Sequence, residues 1–228
     1  MGHVAVLNAF SRAIEQLLDP PFRRVMLQSV GLTFLAYLVT GLAVSYGLHQ
    51  LPHIPFPYVD AAIAVLSGVG LVLVMTLFFP AVASLFVSLF LDDIAVAVER
   101  RYYPERPPGH VLSFGPAILY AIRFTILVLA ANLLLLPFYI LLWWFPVFYI
   151  VVFAVNGYLL GREYFELVAM RHMPPFEARA LRRANRGRIF FAGAIFSFLL
   201  TLPVLNLFVP ILATAAMVHI FQEVSLVS

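Results

Sequence analysis

The uncharged runs of this chain come in two lengths, and that difference constrains the fold more than any single motif. Val25 to Leu48 is a run of 24 residues without a charge, about 36 Å long as a helix at ~1.5 Å per residue. Ala61 to Phe79 supplies a second run of 19 residues. Both reach across a hydrocarbon core of about 30 Å. Phe124 to Leu136 is stopped by Pro137 after 13 residues, and Ile189 to Leu202 by Pro203 after 14. As helices these two cover about 20 Å, roughly two-thirds of the core.

The segments that follow the two proline stops are PFYILLWWFP (137–146) and PVLNLFVP (203–210). A turn emerging into water is polar, and these are apolar. They read as the tips of re-entrant, partly penetrating hairpins, which must face protein or a wet cavity because exposed backbone is not tolerated against lipid. Six ordinary spans, with Trp143 and Trp144 in a far-side aromatic belt, form the competing arrangement. With 63% hydrophobic and 11% charged residues, the chain lacks the polar side chains needed to cover a soluble surface. The expected fold is therefore an all-α integral membrane protein: two long transmembrane helices plus two re-entrant, partly penetrating helix hairpins.

One membrane domain over 1–228 accommodates these parts. Residues 4–18 form an amphipathic helix expected to lie in the interface, with Val4, Leu7, Ala9 or Phe10, Ile14, Leu17 and Leu18 toward its apolar face. Asp19 and Pro20 suit the N-cap and first position of the next helix. Residues 22–48 and 59–91 are the long membrane helices, with Pro80 inside the second; 117–161 and 189–222 are the hairpins, and 162–188 a basic cytosolic segment. No removable signal peptide is read in residues 1–18, and with no cysteine neither disulfides nor thiolate metal sites arise.

All 14 basic residues are arginine. Arg12, Arg23 and Arg24 precede the first span, and Arg100, Arg101 and Arg106 follow the second. Arg162, Arg171, Arg179, Arg182, Arg183, Arg186 and Arg188 separate the hairpins. These clusters share one face, and the positive-inside rule makes it cytosolic, with both termini there.

Two arginine groups are candidate anion sites. At Phe22, Arg23 and Arg24 a helix begins, where backbone N–H groups lack internal partners and the macrodipole adds positive charge. Two guanidiniums there can grip a tetrahedral dianion, or can anchor the helix to headgroup phosphates. Arg179, Arg182, Arg183 and Arg186 stand at i, i+3, i+4 and i+7, one stripe on a helix whose mutual repulsion calls for a negative counterpart. Lipid headgroups supply one, and anions drawn toward a pore are the other. Arg123, Asn132, Asn156 and Asn206 are the polar residues at membrane depth. Arg123 can snorkel, and Asn206 is placed to satisfy backbone groups freed by Pro203 and Pro210. The six histidines have no metal-ligand spacing, and neither a catalytic constellation nor a phosphate-cradling loop is present. No enzyme, cofactor, metal or nucleic-acid partner is expected.

PVLNLFVP (203–210) with ILATAAM and Glu223 behind it resembles the C-terminal signature of the CysZ sulfate permeases, bacterial relatives of the etoposide-induced membrane proteins. ALRRANRGRIFFAGA (180–194), SLFLDDIAVAVER (88–100) and DPPFRR before the first span are similar to segments of that family. The resemblance implies a homo-oligomeric permease of the bacterial inner membrane that supplies sulfate, or a similar oxyanion, for cysteine synthesis. It implies that Pro21, Phe22 and Arg23 stand where the family carries a sulfate-binding Gly-Leu-Arg, with one backbone donor lost to the proline. A non-transporting scaffold, its basic face on lipids or a partner protein, is the other function considered.

Overall fold

The computed structural model describes residues 2–50, 59–110 and 147–226, with short pieces between 126 and 145. The expected first hairpin (117–161) is described from 147 on and in pieces before that; Arg123, Asn132 and, in the 137–146 tip, residues 139, 142, 143 and 146 lie outside the described residues, as does the 51–58 turn. Among the described residues every regular element is helical. In chain order these are α1 (Gly2–Glu15), a 3-10 turn (Gln16–Leu18), α2 (Pro20–His49), α3 (Val59–Ser88), α4 (Leu91–Tyr102) and α5 (Val147–Ala169). Then come α6 (Pro175–Ala184), α7 (Arg186–Leu200), a single helical turn (Pro203–Asn206) and α8 (Val209–Val224).

α2 begins at Pro20 because proline needs no N–H at that position and Asp19 is already extended (φ −66°, ψ 148°). It then runs 30 residues. Among the described residues its Pro20–Gly47 stretch is the one helix long and apolar enough to cross a membrane. Its large side chains Leu27, Phe34, Leu38 and Leu42 stay exposed, as suits a lipid-facing surface. Inside the helix Thr33 and Thr40 return their hydroxyl protons to the carbonyls of Ser29 and Ala36. α3 continues through Pro80 and stops at Ser88, three residues short of the expected limit at 91.

Leu91 to Tyr102 is a separate helix that the surface charges of this segment had concealed. Asp92 and Asp93 occupy its first turn and Arg100 and Arg101 its last, both signs favourable to the helix dipole. Leu91, Ile94, Ala95 and Val98 form its buried face.

α8 is the centre of the bundle. All of its residues except Glu223 are buried, and it packs on α1, α4 and α5. A helix apolar on every side must be enclosed, and Ala213, Ala215 and Ala216 let its neighbours approach closely. α1 presents Val6, Ala9, Phe10 and Ala13 to this core and the 3-10 turn adds Gln16, while Leu7 and Ile14 of α1 and Leu18 of the turn remain exposed. Of the face expected to be apolar, Phe10 is packed into the bundle, while Leu7, Ile14 and Leu18 are left outside it. Small Ala9 and Ala13 allow that close approach, and the Phe10 ring lies 5.1 Å from that of Phe196 on α7.

α5 and α7 pack antiparallel through glycines. A Cβ on Gly161 would lie 2.4 Å from the Ile189 carbonyl oxygen, and one on Gly157 2.9 Å from the Ala194 backbone. Gly157 and Gly161 form the small-xxx-small spacing of close helix pairs in membranes. α5 also overruns the boundary expected at 161, reaching Ala169, because Phe165, Val168 and Ala169 continue its buried face. α7 and α8 have 15 and 16 residues, about 22 and 24 Å. At the turn between them the Asn206 N–H closes on the Leu202 carbonyl at 2.8 Å. No bond from the Asn206 side-chain amide to the freed backbone is found among the described residues. Thr214 bonds the Pro210 carbonyl instead, at 2.9 Å, and Asn156 likewise bonds within its own helix, to Val152.

A charged clamp ties α4 to the end of α5. Arg171, fully buried, pairs with Asp92 and lies 3.4 Å from Glu99. His172 Nε2 is 3.0 Å from the other Glu99 oxygen, and the Gly109 N–H donates to Glu99 at 3.3 Å. Burial alone pushes the Glu99 carboxyl up, but the His172 hydrogen bond, the Arg171 charge and the Gly109 amide outweigh it and hold the carboxyl below its ordinary value.

Candidate functional site: an arginine-lined cavity at the start of α2

A cavity of about 920 Å³ opens between the first turns of α2 and the outer face of α4. From α2 it receives Phe22, Arg24 and Gln28; from α4, Asp93, Arg100 and Arg101. Phe22 is nearly buried and seats the helix start in the core, leaving Arg24 exposed at the cavity wall. Arg23 also is exposed but is not part of the lining. The structure therefore brings two of the three expected residues, Phe22 and Arg24, to one space and turns Arg23 away from it.

The backbone contribution is smaller than the sequence led us to expect. Pro20 and Pro21 have no N–H, and the Arg23 N–H already bonds the Asp19 carbonyl at 3.0 Å. Phe22 carries the one first-turn amide with no partner among the described residues. The helix dipole places positive charge at the same point, where cations are disfavoured and an anion is welcome. Across the cavity, Asp19 pairs with Arg101. That contact raises the Arg101 guanidinium further above its ordinary value, first through the hydrogen bond and then through the Asp19 charge. Arg24 and Arg100 make no ion pair among the described residues. Nothing in the sequence alone marked Arg100 and Arg101 as facing α2; they are the basic pair at the C-terminus of a helix that was not expected.

The profile of the family described as sulfate transporter CysZ/Etoposide-induced protein 2.4 matches residues 9–210. The chain belongs to that family. The match runs from within α1 to the first turn of α8, and so takes in every element around the cavity. No curated protein matches the chain.

The second basic group of this CysZ-family chain is arranged differently from the expected stripe. Arg179, Arg182 and Arg183 lie on α6, but Arg186 opens α7, because the helix breaks at Asn185 (φ −111°, ψ 24°). Asn185 Nδ2 donates to the Leu181 carbonyl at 3.0 Å, a local bond that competes with the helical ladder. The negative counterpart is internal. Glu166, fully buried on α5, receives Arg182 Nε at 2.8 Å and Arg162 Nε at 3.3 Å, with Arg179 Nε at 3.9 Å. Such a buried carboxylate is retained only when paired. No group of histidine or acidic residues able to hold a metal ion occurs among the described residues.

Proposed function

We propose that the chain is an inner-membrane permease for sulfate or a similar oxyanion, working as a homo-oligomer with both termini in the cytosol. The observation that carries this reading is the cavity at the start of α2. In a chain of this family it sets Arg24, Arg100, Arg101 and a free Phe22 amide around one space. An oxyanion entering it would accept charge-assisted bonds from Arg24 and Arg100 and one from the Phe22 N–H. Arg101 becomes a further donor once it leaves Asp19. In this reading α2 and α3 cross the membrane. α7 and α8, each shorter than the ~30 Å core, form a partly penetrating hairpin whose tip faces protein or water. Transport follows the gradient set by sulfur assimilation downstream.

Flux of radiolabelled sulfate into proteoliposomes tests this. Wild-type protein is expected to carry sulfate, and an Arg24→Ala/Arg100→Ala variant to lose most of that flux while staying folded and oligomeric. Folded wild type that carries neither sulfate nor a related oxyanion overturns the proposal and leaves the scaffold function.

A further inference from the structure

A second cavity lies 138 residues further along the chain from Arg24, counting to Arg162, and belongs to different helices. It measures about 280 Å³ and sits where α5 meets the junction of α6 and α7. Arg162, Arg182 and Arg186 line it together with Tyr158, Ile189 and Phe190, and most of its accessible lining is apolar. Glu166 gathers the arginines from outside it. With one carboxylate it fixes Arg162 and Arg182 by their Nε atoms, so that the rest of each guanidinium fork is available to another acceptor. The Arg182 guanidinium also lies 6.0 Å over the Tyr158 ring, which holds its plane.

The charges do not balance. Arg162, Arg179 and Arg182 share the single Glu166 carboxylate. Arg186 brings one more guanidinium to the same cavity and makes no ion pair among the described residues. Several like charges around a largely apolar pocket repel one another unless an anion enters. The space beside Gly187 is open, since a Cβ there would meet nothing within 4 Å.

We infer that this pocket is a second anion site, independent of the α2 cavity, built for a tetrahedral phosphate or sulfate group. The forks of Arg162 and Arg182 and the free Arg186 hold the oxyanion, and Tyr158 and Phe190 cover the group attached to it or close over the free ion. The ligand is either a free oxyanion or the phosphate of an anionic phospholipid, since the recognition chemistry is the same.

Full-length protein is compared as wild type, Arg186→Ala and Arg183→Ala. The last removes the same charge from exposed Arg183, which does not line the cavity. One arm measures binding of radiolabelled phosphate and sulfate in detergent. The other measures phosphatidylglycerol retained after reconstitution from mixed phosphatidylglycerol and phosphatidylcholine vesicles. Loss of one charge-assisted contact is expected to weaken binding roughly tenfold in Arg186→Ala and leave Arg183→Ala near wild type. If that contrast appears for the inorganic ions, the site takes a free oxyanion. If it appears only for phosphatidylglycerol, it takes a lipid headgroup. Equal behaviour of the two variants, or no dependence on Arg186 in either arm, overturns the site and leaves diffuse surface charge. Since the α2 cavity is not altered, sulfate flux in Arg186→Ala reports separately on the permease reading.

Discussion

Gly193 and Gly157 hold α7 against α5 with no side chain between them: a Cβ on Gly193 would lie 1.9 Å from the Gly157 carbonyl oxygen and 2.6 Å from the Gly161 nitrogen. Backbone, unlike a flexible side chain, cannot move aside, so Gly193→Ala must push the helices apart. Overpacking of a tight core costs about 1–3 kcal/mol, and this contact belongs at the upper end. Gly193→Ala is expected to lower the thermal midpoint in detergent markedly, while Gly187→Ala, where a Cβ meets open space, stays near wild type or rises slightly. Equal midpoints would show that α5 and α7 do not pack this closely.

The clamp around Arg171 makes a second stability prediction. Arg171→Met removes the positive charge from a site where Glu99 remains 5% exposed, and breaking a buried pair on one side costs about 3–5 kcal/mol. The same geometry sets a pH dependence. The Glu99 carboxyl is held below its ordinary value of 4.5, so its contribution is present above that pH and is lost as pH falls through the lower folded value. Thermal midpoints between pH 7 and pH 3 are expected to fall in the acid range, and the fall to be shallower in Glu99→Gln. An unchanged acid slope in that variant would mean that Glu99 titrates no differently in the folded chain.

The long helices were legible in the sequence because their boundaries are chemical: Asp19-Pro20 starts α2, and from Val25 to Leu48 it carries no charge. The all-helical class and the family followed from similarly plain features. α4 was not legible, since its 12 residues mix acids, bases and apolar side chains in a way that also describes a solvated surface. Its face becomes visible only once α8 lies against it. The break at Asn185 was hidden for a related reason. Asn185 is an unexceptional residue within a helical periodicity, and nothing in its neighbours marks the break. The spacing of Gly157 and Gly161 was available as a signal for the α5–α7 contact and was not used. At the candidate site, sequence located the α2 start, but the hydrogen bond that occupies the Arg23 amide and the arginines arriving from α4 are tertiary facts.

Arg23 and Arg24 are adjacent in sequence and unequal in place, which separates two roles that the sequence joined. Arg24 lines the cavity and Arg23 does not. Losing a charged donor to an oxyanion costs about 1.5–3 kcal/mol, so Arg24→Ala is expected to raise the half-saturating sulfate concentration roughly tenfold or more. Arg23→Ala should change it little, affecting at most the amount of protein inserted. Half-saturation curves for the two variants in proteoliposomes decide the point; equal effects would assign both arginines to headgroup anchoring.

Asp19 competes with any oxyanion in this cavity, because its carboxylate already occupies Arg101. Removing that charge while keeping the side chain's shape frees the guanidinium and subtracts one repulsive charge from the cavity. Asp19→Asn is therefore expected to tighten sulfate binding. The pair is solvent-exposed, so the expected gain is no more than a few-fold in affinity. The gain should shrink at high ionic strength, where exposed charges are screened. In an Arg101→Ala background the Asp19→Asn substitution should keep only the part of its effect that comes from removing a repulsive charge, so that its gain is smaller than in the wild type. Titration of sulfate against the four proteins at low and high salt measures this coupling, and strict additivity of the two substitutions would show that Asp19 does not guard Arg101.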